Sequence, residues 1–101
     1  MPRKDESLGD IATNVLFEND HVKIWDLIVE PSGASSWHLH LRDYITVVVE
    51  SADIILELAN GTTQSVPSPV GRWTYHGQHE IHRVINNTKT RFRNILVELK
   101  N

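Results

Sequence analysis

The chain is expected to be all-β, a sandwich or barrel of short strands, and three features of the sequence say so. Runs rich in Val, Ile, Thr and aromatic residues recur at regular spacing, Gly, Pro and Asn punctuate them, and no stretch carries a convincing amphipathic helical period. Val22–Val29 (VKIWDLIV) opens the series and is closed by the turn residues Pro31, Ser32 and Gly33. Residues 36–49 read as one extended run ending in Tyr44, Ile45, Thr46 and three valines, all strong strand formers. Residues 53–58 and 62–66 flank Asn60-Gly61 and predict a hairpin, with Asn-Gly suited to the positive-φ positions of a type I′ turn. Pro67 and Pro69 break the chain before residues 72–75; residues 82–85 follow, Asn86-Asn87 turns, and residues 90–100 form a long last strand. Residues 8–15 are at most a short turn ahead of the first strand.

A length of 101 residues predicts one domain, over residues 15–101, preceded by a partly flexible segment over residues 1–14. With 40% hydrophobic and 23% charged residues the composition is that of a soluble globular protein. A net charge of −3 leaves no cationic excess to neutralise phosphates, so nucleic acid is not expected as a partner. No apolar leader or membrane-length run is visible, and a cytoplasmic address is expected, with no membrane partner. The absence of cysteine excludes disulfides, thiolate nucleophiles and thiolate metal ligands.

Chemistry therefore falls to the histidines. His38 and His40 lie two apart, and on an extended backbone such residues share a face. His82, in a second stretch with His76 and His79, can add a third imidazole from another strand. Three nitrogen donors on one side of an ion leave other positions open, which distinguishes catalytic metal sites from closed structural ones. The same strand parity carries Tyr44 and Val48 to the histidine face and turns Trp37 and Leu39 outward, where a second subunit or the first strand is expected to cover them. A homodimer is the expected state.

Together these residues resemble the cupins, a superfamily of small antiparallel β-barrels with a metal site inside. The first cupin motif (Gly, five residues, His-x-His, three or four residues, Glu, six residues, Gly) is matched here by Gly33, His38-Leu39-His40, Tyr44 and Ser51. The second is matched by Gly71, the turn His76-Gly77-Gln78 and His82 to Asn86. The likeness runs from about Val15 to Lys100 and is greatest to short stand-alone cupins with an HxHxxDY pattern, some described as β-alanine degradation proteins. The implied architecture is a double-stranded β-helix, or jelly roll. Tyr44 replaces the usual metal-binding Glu, Ser51 the closing Gly, and the proline of the second motif is missing.

The resemblance implies His38, His40 and His82 as ligands of a divalent ion: Fe(II), Ni(II) or Zn(II). With no carboxylate ligand the site keeps its full positive charge and favours a small anionic, chelating substrate. Tyr44 is expected either to ligate as phenolate or to position substrate and carry a proton. Glu80 is expected as a carboxylate orienting a histidine N–H, or as a solvated loop residue. His79 and Gln78 stand near the expected mouth, His76 reads as a turn residue and His21 as surface. Asp43 has the wrong parity for the interior. Trp73, Tyr75 and Phe92 are expected to pack the barrel, with Trp73 or Tyr75 lining a pocket as the alternative, and Asn86 to hydrogen-bond the backbone at a turn. The implied activity is metal-dependent catabolism of small molecules, oxygenase-type ahead of lyase or isomerase. The alternative is a non-catalytic module binding metal or a small anion.

Overall fold

The computed structural model describes residues 9–77 and 80–100 and contains nine strands and no helix among them. The strands are β1 (Asn14–Glu18), β2 (Val22–Val29), β3 (Gly33–Ala34), β4 (Tyr44–Glu50), β5 (Ile54–Leu58), β6 (Thr63–Val66), β7 (Trp73–His76), β8 (His82–Asn86) and β9 (Phe92–Leu99). They form two antiparallel sheets, ordered β1-β2-β9-β4-β7 and β3-β8-β5-β6. The all-β expectation is met. With no helix, no helix is long and apolar enough to cross a membrane.

β9 is the spine of the larger sheet. It pairs with β2 over eight residues and with β4 on its other side. Its side chains alternate between buried and half-buried, so Phe92, Asn94, Leu96 and Glu98 share the buried face. Phe92, Leu96, Leu27, Val29 and Val48 from this sheet meet Ile54 and Val84 of the other in the core. On the opposite face Asp26 is buried and held by Arg93 (3.0 Å) and the Asn14 amide (2.9 Å), which ties β1, β2 and β9 together.

The turns explain where strands stop. Ser32 takes φ 63° after Pro31, and the Gly33 N–H donates to the Glu30 carbonyl, as in a type II turn. A Cβ on Gly33 would sit 3.0 Å from that carbonyl, so the bare glycine suits the close approach. The β5–β6 hairpin forms where Asn60-Gly61 predicts it, but not as type I′. Only Gly61 has positive φ (90°), and its N–H donates to the Leu58 carbonyl, with Thr62 donating to the Asn60 side chain. That is a three-residue loop with a glycine bulge, which needs one left-handed residue instead of two. Asn86 is fully buried and bonds the Val29 and Thr90 carbonyls and the Thr88 N–H, the backbone role expected of it.

Three expectations need correction. Residues 36–49 are not one strand: His38 pairs with His82 of the smaller sheet, whereas Tyr44 pairs with β9 and β7 of the larger. The chain therefore changes sheet between His40 and Tyr44, exposing Leu41 and Arg42 as it does so. A strand precedes Val22: β1 was hidden because Val15, Leu16 and Phe17 are all about half exposed, and a strand held by its pairing with β2 shows no alternation. Finally, Phe92 is in the core, but Trp73 and Tyr75 are exposed. β7 is an edge strand whose pairing with β4 turns Thr74 and His76 to the partly buried side instead.

Candidate metal centre

The smaller sheet positions two of the three histidines directly opposite each other. His38 N–H donates to His82 O and His82 N–H to His38 O, both at 3.0 Å, so the residues exchange both backbone bonds and their side chains project together. The register slips by one along this edge: Gly33 and Ala34 face Asn86 and Ile85, but His38 faces His82. The Ser35 hydroxyl takes up the slack by accepting from the Val84 N–H at 2.8 Å. His40, two residues on, returns to the same side.

All three imidazoles are buried, and their ligand atoms lie within 4.8 Å of one another. Ring centroids are 4.5 Å apart for His38–His82, 4.9 Å for His38–His40 and 5.2 Å for His40–His82. His38 Nδ1 is 2.7 Å from the Ser36 carbonyl, which requires the proton on Nδ1 and leaves the Nε2 lone pair for a ligand role. His82 is oriented in the same manner by the backbone carbonyl of Glu80. The role expected of the Glu80 carboxylate thus belongs to that residue's main chain, while the residue itself is exposed and lines the cavity.

Burial sets the charge state. It holds the His38 and His76 imidazoles below the usual histidine range and pushes His82 down to about 4, with His38 and His76 adding repulsion. His38 and His82 are thereby neutral at pH 7, so no proton on either opposes a metal ion. A buried three-imidazole cluster, two of whose members are held neutral with an oriented ring nitrogen, suits a divalent transition ion.

Tyr44, as parity predicts, faces the same space and is buried. Its ring stacks on His40 (3.8 Å, 17°) and, on the other side, on His76 (4.5 Å, 11°). Desolvation raises its hydroxyl above the normal phenol range, so it remains protonated without a bound cation. His76 is no turn residue. It lies in β7 opposite Tyr44, with Nε2 3.0 Å from the Thr46 hydroxyl. The alternation of β7 carries the signal for this, once Thr74 and His76 are taken as its inner side. Asp43 is partly exposed and accepts from the Tyr75 hydroxyl at 2.5 Å. His21 is exposed, and His79 and Gln78 lie outside the described residues.

The cluster opens into a cavity of about 480 Å³ between the sheets. Leu27, Val48, Leu56, Val84, Phe92 and Leu96 give it apolar walls, interrupted by polar groups that include Thr46, Ser68, Arg72, His76 and Asn94. That size and polarity suit a small molecule.

Several solved structures share this architecture. A cupin domain from Bordetella pertussis Tohama I superposes with a TM-score of 0.77 at 25% identity, covering 92% of this chain and all of that one. The chain has the cupin fold. A Klebsiella pneumoniae protein with a double-stranded β-helix domain matches this cupin barrel over its whole length, at TM-score 0.68, 17% identity and 84% of that chain. The polyketide cyclase RemF of Streptomyces resistomycificus matches it at 0.63 and 21% identity, over 82% of this chain and 57% of that one. No family model and no curated protein matches the sequence. The cupin barrel and its three-histidine cluster together suggest a bound metal ion.

Proposed function

We propose that this cupin is a metal-dependent enzyme acting on a small, anionic, chelating molecule, with oxygenase-type chemistry ahead of lyase or isomerase chemistry. The observation that carries the reading is the convergence of three buried imidazoles on one cavity between the sheets. His38, His40 and His82 would hold the ion, which when bound supplies Lewis acidity to a carboxylate or enolate. The imidazoles add no negative charge, so the site favours an anion. Tyr44, protonated and clamped between His40 and His76, can donate a hydrogen bond or a proton to the substrate. His76, neutral and hydrogen-bonded to Thr46, can receive a proton on the same side. A metal or small-anion binding module without turnover is the competing reading.

Elemental analysis of untagged protein tests the proposal. About one equivalent of transition metal per chain is expected, lost in His82→Ala. Protein that stays metal-free after incubation with Fe(II), Ni(II) and Zn(II) would remove the basis of both readings. Iron followed by substrate-dependent oxygen uptake supports the enzyme; a loaded protein silent toward small dicarbonyls and carboxylates favours the binding module.

A further inference from the structure

Asn94 stands apart from the three-histidine cluster. Its position is 8% exposed, it lines the cavity, and its Oδ1 is buried with no hydrogen-bond partner among the described residues. Both its neighbours on the inner face of β9, Phe92 and Leu96, are apolar core residues. The smaller sheet contributes Ile54, Leu56, Val66 and Val84 to the same lining. Buried polar groups are normally paired, so an orphaned acceptor in a cavity wall marks a place where a partner from outside belongs.

Register fixes how far this acceptor lies from the histidines. Tyr44, which stacks on His40, pairs with Glu98, whereas Asn94 pairs with Val48. Four strand residues separate the two levels, a distance of about 13 Å. The wall between them carries Leu96 and Val84, with Thr46 beside Leu96. The cavity therefore has a chelating end, a largely apolar middle and a far end where Ser68 and Arg72 are spent on the Val66 and Pro67 carbonyls and the Asn94 Oδ1 is left without a partner among the described residues.

We infer that Asn94 is a second recognition point of this cavity, taking the polar, uncharged end, such as a hydroxyl, of an elongated ligand whose anionic head sits at the three histidines. This rests on the metal-site reading above and adds to it the ligand's shape: a chelating head, an apolar body and a distal hydrogen-bonding group. Whichever way the carboxamide is turned, a hydroxyl can pair with it, whereas a methyl group of the same size leaves it unsatisfied.

The probes are straight-chain hydroxamates of graded length, each prepared as an ω-hydroxy compound and its ω-methyl isostere, titrated into zinc-loaded protein. At the matching length the hydroxylated member should bind roughly tenfold more tightly to wild type. In Asn94→Leu, with zinc content unchanged, that preference should vanish or reverse. Equal affinity within every pair in wild type, or an unchanged preference in Asn94→Leu, overturns the role of Asn94 while leaving the metal centre standing. If neither series binds in a zinc-dependent way, the metal-site reading falls and the inference falls with it. The wild-type comparison needs no variant, and Asn94→Ser supplies one that keeps a small polar side chain should leucine not fold.

Discussion

At the scale of single residues, chemistry and packing make opposite demands on the same interior. An apolar side chain at Asn94 would suit the core better, because an unpaired buried amide oxygen costs about 1–3 kcal/mol. Asn94→Leu is therefore expected to raise the melting temperature by several degrees in thermal unfolding of metal-free protein. A lowered melting temperature would show that the amide has a structural partner. Tyr44→Phe separates the two roles of the phenol. If the hydroxyl only positions substrate, metal content survives and turnover falls; loss of the metal would make it a ligand. The histidine triad was legible because His-x-His spacing survives local irregularity, with both imidazoles inward although their segment is no regular strand. His76 and Asn94 were not. In β9 both faces carry apolar residues, so nothing in FRNILVEL marks which of Asn94 and Ile95 points inward.

At the scale of elements, β9 and its partners carry most of the order. Asp26 is buried between β2, β9 and β1 and depends on Arg93 for its countercharge. Arg93→Met would strand that carboxylate, and a loss of about 3–5 kcal/mol is expected in urea unfolding at pH 7. A double variant with Asp26→Asn should recover part of it, since the carboxylate charge is then gone too. The β5–β6 loop makes a smaller claim. Gly61→Ala, at φ 90°, should cost about 1–2 kcal/mol, whereas a type I′ loop would make Asn60 equally sensitive. Strand positions followed from composition, but the change of sheet between His40 and Tyr44 did not. It is a fact of pairing, and no local pattern in Leu41-Arg42-Asp43 encodes which neighbour the chain will choose.

At the scale of the whole molecule, the buried histidines couple the site to stability. His82 titrates near 6.5 in the unfolded chain and about 4 in the folded one. Between those values the unfolded state binds more protons, so stability falls as pH drops through this window and levels off below it. His38 and His76 shift in the same direction. Metal-free protein should lose on the order of 2–3 kcal/mol from His82 alone between pH 7 and pH 4. Urea midpoints across that range check the slope, and a flat profile would mean the imidazoles are solvated. The jelly-roll architecture itself was legible from the strand count, the turn residues and the two histidine motifs.

The reciprocal pairing of His38 with His82 also bears on a chain that has no cysteine. An ion held by both residues would be a cross-link, closing a loop of roughly 45 residues, worth about 4 kcal/mol if it constrained the unfolded chain as a disulfide does. A chelator would then act as a reducing agent acts on a secreted domain: it would cut the staple, leave every hydrophobic contact in place, and still bring the barrel closer to unfolding.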